Sequence, residues 1–559
     1  MKGGYTHMTK IEKWLINSGY DIKTLNNDTR EYKVTNLDQA AKIIQEAIAQ
    51  GRTIYVLADY DCDGIMSGCI LYTMLTELGA DFYLRFPKKI SEGYGLSEKI
   101  VPEIPDGALL ITIDNGIAAC EIIEDIKTRN IDTVILDHHI IRGDGLVPNA
   151  QCVVDPHIYR EEGEFEDYCG AGIGYKLAKL MNLKKETLQV CNIFAAIATV
   201  QDIVPMKGDN RNIVKEGLRL LNARTVAHRP ELTGIYSLMD KMYLRTSEKL
   251  ESAFQEGDIS YYLGPCINAM GRIHDAGAQM VFERLMHYDK NGMDGVLEVI
   301  ECNKERKELT KKQQDILNAE AEKLINSRTT CLVVYAPNLH EGVIGINAAK
   351  ITELFHMPAI VLTDSEDGKL KGSARSLPDV NMKELLDSAA EYIFAYGGHA
   401  GAAGLTVEKD KLKDLRKALN KNCPKSKTSQ STWVYDMEIS EDEIPEVFSQ
   451  VRKYAPYGED FHAPVFKVTG YKLVSKRDRN GNYATHRMLP SDGIAFNGGT
   501  VNGVSFTVKD KFKKVGSPAN MNVIATLGWS SYDKAVQMSI SDLQPLANAT
   551  AEPDDGYLI

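Results

Sequence analysis

Short apolar runs alternate with longer amphipathic stretches from residue 51 onward. The runs at 53–58, 109–113 and 133–137 are rich in β-branched residues and have the length of buried strands. The segment after Gly64 carries apolar residues at helical spacing and ends near Gly79. Strands that alternate with helices predict a parallel sheet with helices on both faces.

The pattern changes beyond this first region. Residues 300–325 have sparse apolar positions at helical spacing, which predicts one long helix between two domains. A second α/β pattern follows, with strand-like runs at 331–336 and 359–363 around a helix from Gly345 to about Phe355. The stretch 421–432 is polar and turn-rich, and the short strand-like runs after it predict a small β-barrel or sandwich.

We therefore expect an α/β protein of several domains, because 559 residues exceed what one core can hold. The expected ranges are an N-terminal extension (1–50), a first α/β domain (51–299), a connecting helix (300–328), a second α/β domain (329–422), a C-terminal β-barrel domain (433–547) and an acidic tail (548–559).

Composition and charge narrow the class of protein. No apolar run reaches the roughly 18 residues of a membrane helix, and the N-terminus has no apolar signal core, so we expect a cytoplasmic protein. The ten cysteines form no CxxC pair, which favours buried, reduced thiols over a zinc ribbon or a disulfide framework. A net charge of −12 argues against broad coating of DNA, but it allows a basic groove or an acidic cluster that binds cations.

Ionisable residues follow each of the three strands predicted in the first domain. In chain order they are Asp59, Asp61 and Asp63, then Asp114, then Asp137, His138 and His139, and a further acid, Asp202, follows an apolar segment. One aspartate after a strand is usually a helix cap, but the carboxyl ends of parallel strands share one edge, so we expect a common crevice. Repulsion there would raise the carboxyl pKa values, and divalent cations would remove it.

The residue types at this edge indicate which metal and which chemistry to expect. Aspartates with a few imidazoles suit Mn²⁺ or Mg²⁺ better than Zn²⁺. Two such ions roughly 4 Å apart can hold a hydroxide for in-line attack on phosphorus. The sequence therefore predicts a two-metal phosphoesterase.

The motifs and their order resemble the DHH phosphoesterase superfamily, whose signature matches Asp137-His138-His139. The similarity spans about residues 50 to 545 and includes DYDCDG, SEGYGLS, TIDNG, ILDHH, CGAGIGYKL, ATVQDIVP, INAMGR, HEGVIGI, KGSARS, GGHAGAAGL and YAPYGE. Within the superfamily the chain resembles the bacterial and phage exonucleases that degrade single-stranded DNA. This resemblance implies a parallel-sheet DHH domain, a DHH-associated substrate domain and an oligonucleotide-binding (OB-like) barrel.

The resemblance also implies an activity and a set of metal ligands. The expected activity is 5′-to-3′ hydrolysis of single-stranded DNA in recombination and repair, with two Mn²⁺ ions or with Mg²⁺. By motif position the metal ligands are Asp61, Asp63, Asp114, His138 and Asp202, with Asp59 and His139 as ligands or supporting residues. The residues expected to act in catalysis are Asp137, His138, His139 and His399.

A second set of residues is expected to bind a substrate phosphate. Its members are Lys89, Asn268, Arg272, Ser373, Arg375, Ser376, Gly398 and His399. Glycines allow close backbone approach, and guanidinium groups form paired hydrogen bonds with phosphate oxygens. The alternatives are a tight glycine turn with a structural histidine for GGHAGAAGL, an ordinary polar turn for KGSARS, and a buried structural pair for Asn268 and Arg272. Lys89 stands where the family usually has arginine, which keeps the charge but loses the paired donors, so we expect weaker recognition of a 5′-phosphate.

Several points stay open at this level. Tyr457, Phe466, Phe506 and Trp529 could stack on bases or belong to the core of the last domain. Two other functions remain possible: hydrolysis of short oligonucleotides or cyclic dinucleotides, and a non-catalytic DNA-binding scaffold. We expect single-stranded DNA as the main partner, a helicase and single-strand-binding protein as further partners, no membrane, and a monomer.

Overall fold

The structure is a computed structural model. It describes residues 8–30, 32–89, 91–141, 143, 145–244, 246–365, 367–425, 434–477, 483–489, 493–514, 518, 520–530 and 534–546. The predicted acidic tail, 548–559, lies outside these residues. Within the described part of the chain, no helix is both long enough and apolar enough to cross a membrane.

The helices and strands follow the alternation expected from the sequence. The α-helices are α1 (Lys10–Asn17), α2 (Ile22–Asn26), α3 (Leu37–Ala49), α4 (Cys62–Glu77), α5 (Cys120–Ile126), α6 (Gly170–Leu180), α7 (Lys185–Gln201), α8 (Gly208–Ala223), α9 (Pro230–Lys241), α10 (Glu256–Asp258), α11 (Gly264–Ile273), α12 (Gly277–Met286), α13 (Tyr288–Leu324), α14 (Glu341–Phe355), α15 (Met382–Asp387), α16 (Leu412–Asn422), α17 (Ile444–Lys453) and α18 (Lys509–Lys514). The strands are β1 (Ile54–Ala58), β2 (Phe82–Arg85), β3 (Leu109–Ile113), β4 (Asp132–Leu136), β5 (Cys152–Val154), β6 (Leu332–Tyr335), β7 (Ala359–Asp364), β8 (Leu370–Arg375), β9 (Ala395–Gly398), β10 (Ala402–Val407), β11 (Met437–Ser440), β12 (Phe466–Lys472), β13 (Lys476–Arg477), β14 (Tyr483–Ala484), β15 (His486–Met488), β16 (Ile494–Phe496), β17 (Asn502–Ser505), β18 (Asn520–Ser530) and β19 (Ala535–Pro545). A π-helix spans Ile259–Leu263.

The first sheet has the strand order β2-β1-β3-β4-β5, and all its pairings are parallel. This confirms the parallel sheet predicted for the first domain. Every residue of β1 and β3 is buried, because helices cover both faces. Along β3, Ile111 packs into one core and Leu110 into the core on the opposite face. The carboxyl ends of β1, β3 and β4 therefore lie side by side at one edge.

The second sheet has the order β6-β7-β8-β10-β9, with one parallel pairing and three antiparallel ones. It has its own apolar cores on its two faces. Helix α13 leads into it, kinks at Gly292 and ends at Leu324, so it contains the predicted helix 300–325 except for its last residue. The sequence thus predicted both the second α/β unit and the long helix before it.

The third sheet has the order β11-β12-β18-β19-β17-β16-β15, in keeping with the predicted OB-like domain. Helices α17 and α18 belong to the same region, which the sequence pattern had indicated as all-β. Phe466 is fully buried and Tyr457 is 7% exposed, whereas Phe506 is 62% exposed. Of the four aromatic residues considered for base stacking, Phe466 and Tyr457 thus belong to the core.

The N-terminal extension forms helices that pack against the C-terminal region. Tyr454 donates its hydroxyl hydrogen to a carboxylate oxygen of Glu12 over 2.8 Å, and the ring of Trp14 meets the ring of His462 edge to face. Lys10 forms a salt bridge with Glu443. One continuous apolar core joins this extension, the first domain and the C-terminal region.

Candidate metal centre and phosphate pocket

The predicted carboxylates meet at the shared edge of the first sheet. Asp61 is the N-cap of α4, where its side chain accepts hydrogen bonds from the backbone N–H groups of Asp63 (3.0 Å) and Gly64 (3.2 Å). Asp59 precedes it at the end of β1, and Asp114 follows β3. Ligand atoms of Asp59, Asp61 and Asp114 lie within 4.8 Å of one another, and so form one group that could hold a metal ion.

His138 joins this group to a second one. Its Nε2 lies 3.0 Å from a carboxylate oxygen of Asp114, 3.7 Å from one of Asp63 and 3.9 Å from one of Asp202. Asp63, His138 and Asp202 form the second group of ligand atoms within 4.8 Å. Asp202 reaches the site from the C-terminal end of α7, so a helix end completes a cluster otherwise built from strand ends.

Asp63 is oriented by the helix that carries the CGAGIGYKL motif. Its two carboxylate oxygens accept hydrogen bonds from the backbone N–H groups of Gly170 (2.7 Å) and Ala171 (2.8 Å). These are the first residues of α6, where free N–H groups and the helix dipole favour a negative charge. The glycine-rich motif therefore fixes one of the predicted ligands.

Asp137 is buried behind the cluster and organises the loop that follows β4. It accepts hydrogen bonds from the backbone N–H of His138 (2.8 Å), from Nδ1 of His139 (2.8 Å) and from the backbone N–H of Ile117 (2.9 Å). Both carboxylate oxygens of Asp137 thus accept hydrogen bonds from the protein, which favours a role in positioning His138 and His139. Burial alone would raise the pKa of Asp137, but the hydrogen bond from His139 and the neighbouring charges hold that pKa below its ordinary value.

Tyr94 is a site residue that the sequence did not single out. Its hydroxyl donates to the carbonyl oxygen of Asp114 over 3.2 Å and lies 3.0 Å from Nε2 of His139. Tyr94 belongs to the SEGYGLS motif, which was noted for its order in the chain and not for any one side chain. The feature of the sequence that could have pointed to Tyr94 was its place between two glycines of this motif.

The cluster carries more negative charge than the protein around it neutralises. Burial and then the neighbouring Asp61 raise the pKa of Asp59, and burial and then Asp63 raise the pKa of Asp114. Burial and then Asp63 also raise the pKa of Asp202, to about 9. Oδ1 of Asp59 is buried and has no hydrogen-bond partner among the described residues. Divalent cations would supply the missing positive charge, so these carboxylates and His138 fit a metal centre.

A cationic pocket opens beside Asp61. It has a volume of about 300 Å³. Its lining includes Tyr60, Asp61, Lys89, Asn268, Arg272, Lys371, Ser373 and Arg375. The structure thereby brings together Lys89, Asn268, Arg272, Ser373 and Arg375, five of the eight residues predicted to bind a phosphate, in one place. We call this the phosphate pocket.

The phosphate pocket lies where α11 of the first domain meets α14 and β8 of the second. A side-chain carbon on Gly342 would lie 1.7 Å from the backbone oxygen of Arg272, so only glycine permits this approach of the two helices. Lys371, Ser373 and Arg375 line the pocket from alternate positions of β8, whose other residues are buried. Sequence reasoning missed Lys371, although the twofold alternation within KGSARS places it on the same face.

Three of the predicted phosphate-binding residues do not line this pocket. Ser376 donates its hydroxyl hydrogen to the carbonyl oxygen of Val380 over 2.5 Å. Gly398 pairs closely with β10, and a side-chain carbon there would lie 2.3 Å from the oxygen of Ala402. His399 is exposed, and its Nδ1 accepts a hydrogen bond from the backbone N–H of Gly401. Their roles at a phosphate, and that of His399 in catalysis, stay predictions.

Sequence signatures of three domains match the chain. The signature described as "DHH family, N-terminal domain" matches residues 53–199. The DHHA1 domain signature matches 328–425, and the RecJ OB domain signature matches 435–542. A parallel sheet whose strand ends converge on aspartates and the DHH motif thus defines a phosphoesterase of the DHH superfamily.

Curated relatives narrow this class to a family. The single-stranded-DNA-specific exonuclease RecJ of Escherichia coli K12 is 30% identical over 502 residues, which cover 83% of this chain and 84% of that protein. The protein of the same name from Salmonella typhimurium is 29% identical over 501 residues, with the same coverage of 83% and 84%. The chain belongs to the RecJ family of exonucleases.

Solved structures agree with this assignment. A crystal structure described as exonuclease RecJ bound to manganese superimposes with a TM-score of 0.58 at 26% identity, over 70% of this chain and 96% of that one. The Mn²⁺ complex of RecJ from Thermus thermophilus matches with a TM-score of 0.76 at 23% identity, over 95% of this chain and 75% of that one. The second match supports the fold across all three sheets.

Proposed function

We propose that the chain is a metal-dependent exonuclease that hydrolyses phosphodiester bonds of single-stranded DNA from the 5′ end. The observation that carries the proposal is the phosphate pocket, which shares Asp61 with the carboxylate cluster. A chain end held in the pocket would place a neighbouring phosphodiester beside the cluster. The RecJ relatives, which are named as single-stranded-DNA-specific exonucleases, support the substrate and the exonucleolytic activity.

The charge of the phosphate pocket suits a terminal phosphate. Lys89, Arg272, Lys371 and Arg375 contribute four cations. Two acids of the lining, Asp61 and Glu341, offset part of this charge, and Glu341 pairs with Lys371 over 2.7 Å. A terminal phosphate carries up to two negative charges, whereas an internal phosphodiester carries one. Net positive charge in a confined space therefore favours the end of a strand over its interior, and this supports exonucleolytic action.

We propose that two divalent ions, Mn²⁺ by preference and Mg²⁺ as a substitute, bind the cluster. Asp59, Asp61 and Asp114 would hold one, Asp63, His138 and Asp202 the other, and Asp114 lies close enough to His138 to serve both. Bound ions of this kind lower the pKa of a water molecule and neutralise charge on a phosphoryl group. Carboxylate-rich donor sets match the preference of both metals for oxygen.

The protein's own groups would orient the substrate and handle the proton. Asp137 holds Nδ1 of His139 and, through the backbone, the position of His138. Burial opposes the charged form of His139, but the hydrogen bond to Asp137 and the charges of Asp137, Asp59 and Asp202 together raise the pKa of His139. His139, oriented by Asp137, is proposed to donate a proton to the leaving oxygen. His399 is proposed as a further donor to the charge that develops on the phosphate.

Single-stranded DNA labelled at the 5′ or the 3′ end tests this proposal with Mn²⁺ present. The expected result is immediate release of 5′ label as a mononucleotide, with 3′ label retained until late. Duplex DNA, RNA of the same sequence and a cyclic dinucleotide serve as competing substrates. Early release of 3′ label, or preference for the cyclic dinucleotide, would contradict the proposal. Asp61→Asn is the inactive control, and binding without hydrolysis by the parent protein would indicate a scaffold.

The remaining expectations concern the cellular setting. We propose that the chain acts as a monomer in recombination and repair, beside a helicase and single-strand-binding protein. Membership of the RecJ family supports this proposed setting. Light scattering of the purified chain tests the oligomeric state, and stimulation of hydrolysis by single-strand-binding protein tests the partnership.

A further inference from the structure

An exposed isoleucine directly follows the metal-cluster residue Asp202. Ile203 has a positive backbone φ of 59°, and 67% of its surface is exposed. A β-branched residue rarely adopts this left-handed conformation, which asparagine or glycine would occupy with less strain. A large apolar side chain also gains nothing from contact with water. The left-handed turn ends α7, but an exposed isoleucine is a poor choice for that position, which indicates that the side chain serves a ligand.

Ile203 lines a cavity of about 310 Å³, which we call the Ile203 cavity. Its walls include Val200, Val204, Met206, Tyr261 and Tyr457 as well as Ile203. Tyr261 lies on the π-helix Ile259–Leu263, and 77% of its surface is exposed. An exposed aromatic ring and an exposed isoleucine on one cavity form an apolar surface that is open to solvent.

Hydrogen bonds and ring stacking hold the wall of the Ile203 cavity that faces the C-terminal domain. The backbone N–H of Met206 donates to the carbonyl oxygen of Glu459 over 2.7 Å. The ring of Tyr457 stacks on Phe461 at 5.0 Å between centroids and 17° between planes. The hydroxyl of Tyr457 donates to the carbonyl oxygen of Val451 over 2.8 Å. The wall is therefore formed before any ligand arrives, which lowers the entropic cost of binding.

The chemistry of this cavity differs from that of the phosphate pocket. Among the described residues that line it there is no lysine or arginine, and its polar contributors include Gln201, Ser260 and the acid Glu459. A phosphate would be repelled by Glu459 and would find no cation. A flat, uncharged and largely apolar group such as a nucleobase suits this lining, because bases stack on tyrosine regardless of sequence.

The two pockets adjoin different parts of the metal cluster. Asp61, which lines the phosphate pocket, belongs to the group with Asp59 and Asp114. Asp202, whose chain neighbours line the Ile203 cavity, belongs to the group with Asp63 and His138. We propose that the Ile203 cavity receives a nucleobase of the single strand on the 3′ side of the bond that is cut. This inference rests on the proposed function and adds a base-binding site to it.

Two variants remove the apolar surface in different ways. Tyr261→Ala removes the exposed ring, which lies on a different element from the metal ligands. Ile203→Asn removes the apolar side chain and relieves the backbone strain, because asparagine tolerates a positive φ. The matched control is Tyr243→Ala, since Tyr243 is 76% exposed, has a φ of 62° and does not line the Ile203 cavity.

The first measurement is the KM and kcat for release of the first nucleotide with Mn²⁺ present. We expect Tyr261→Ala to raise KM about tenfold with little change in kcat, as for the loss of one stacked base. A strand with one abasic nucleotide is expected to show a similar rise at a single position near the 5′ end. The two changes together should give no further rise. Ile203→Asn should raise KM while its melting temperature stays equal to or above that of the parent.

The second measurement detects the base in the cavity directly. A phosphorothioate-linked strand with 2-aminopurine at the sensitive position is expected to lose fluorescence on binding to the parent and to Tyr243→Ala, and to lose less on binding to Tyr261→Ala.

Unchanged KM and equal quenching in Tyr261→Ala and Ile203→Asn would overturn the inference while the proposed function stands. Failure of the parent to degrade single strands would instead overturn the proposed function. A change of oligomeric state in Tyr261→Ala with unchanged KM would assign the surface to contacts between chains and overturn the inference.

Discussion

The hydroxyl of Tyr94 lies 3.0 Å from Nε2 of His139 and donates its own hydrogen to the carbonyl oxygen of Asp114. The same Tyr94 oxygen lies 3.2 Å from Nδ1 of His139, so the hydroxyl rests against the imidazole ring beside both nitrogens. Nδ1 of His139 also lies 2.8 Å from a carboxylate oxygen of Asp137. Tyr94 thus connects the ring of His139 to the backbone of Asp114 and helps to hold that ring against Asp137.

Replacing Tyr94 with phenylalanine tests this arrangement. Loss of the hydroxyl, which bonds to Asp114 and contacts the ring of His139, is expected to lower kcat roughly 5- to 10-fold, because a typical hydrogen bond contributes about 1 kcal/mol. Affinity for Mn²⁺ should change little, since the hydroxyl is not among the proposed ligands. Tyr83→Phe is the matched control, because Tyr83 is 59% exposed on β2. Equal kcat in Tyr94→Phe and the parent would argue against a role for the hydroxyl.

Removing a positive charge from the phosphate pocket should affect strands with a 5′-phosphate more than strands with a 5′-hydroxyl. Arg375→Ala should lower kcat/KM roughly 10- to 100-fold for strands with a 5′-phosphate, as for loss of a hydrogen bond to a charged group. Strands with a 5′-hydroxyl should be affected much less. Lys371→Ala should behave in the same way but more weakly, because Glu341 already neutralises part of its charge.

Lys369→Ala is the control for both changes, since Lys369 pairs with Asp367 over 3.0 Å and does not line the phosphate pocket. A steady-state comparison of the two kinds of 5′ end measures the effect. An equal loss on both kinds of end would show that these residues do not read the terminal phosphate.

Lys89 makes the phosphate pocket sensitive to pH. Burial and then the neighbouring Arg272 lower the pKa of Lys89 from its ordinary 10.5 to about 8. A lysine is charged below its pKa, so kcat/KM for 5′-phosphorylated strands should fall as pH rises through about 8. The change in kcat should be smaller, because a bound phosphate stabilises the charged lysine.

Lys89→Arg is the test variant, since a guanidinium stays charged throughout this range. Its kcat/KM should be flat across pH 8, and paired donors should strengthen binding of the 5′-phosphate. If the fall at pH 8 persists in Lys89→Arg, another group causes it.

The interface between the N-terminal helix and the C-terminal region predicts an effect on stability. A backbone hydrogen bond from Thr9 and a side-chain hydrogen bond from Tyr454 lower the pKa of Glu12 from 4.5 to about 2. A lowered carboxyl pKa stabilises the folded state above pH 4.5, and this contribution is lost as pH falls from 4.5 towards 2.

Glu12→Gln should therefore lower the melting temperature at pH 7 by on the order of 2 °C, in keeping with a partly exposed interaction. The difference from the parent should shrink as pH falls from 5 to 3. Thermal unfolding at several pH values measures it. A difference that stays constant over this range would assign the effect to packing instead of charge.

The sequence predicted the parts of the site that local pattern determines. Buried strands β1, β3 and β4 are recognisable as short apolar runs, and parallel pairing places Asp61, Asp114 and His138 at one edge. The resemblance then supplied the ligand set and the phosphate residues. Lys371 could have been found from the alternation along β8.

Contacts between distant parts of the chain could not be predicted in this way. Tyr94 meets His139 across 45 residues, and Glu12 meets Tyr454 across 442. Whether Gly398 and His399 approach a phosphate depends on how a turn of the second sheet faces the first domain, which a local motif does not specify. The left-handed backbone at Ile203 directly follows the C-cap of α7, and an isoleucine there gives no sign in the sequence of a positive φ.

The binding of Mn²⁺ to metal-free protein, followed together with the hydrolysis of single-stranded DNA, is the decisive measurement for a two-metal exonuclease. We expect two ions per chain at saturation, hydrolysis that appears as the second ion binds, and loss of one ion in Asp202→Asn. Hydrolysis that continues with excess chelator, or parent protein that binds no Mn²⁺ while it remains folded, would show that the carboxylate cluster is not the catalytic metal centre.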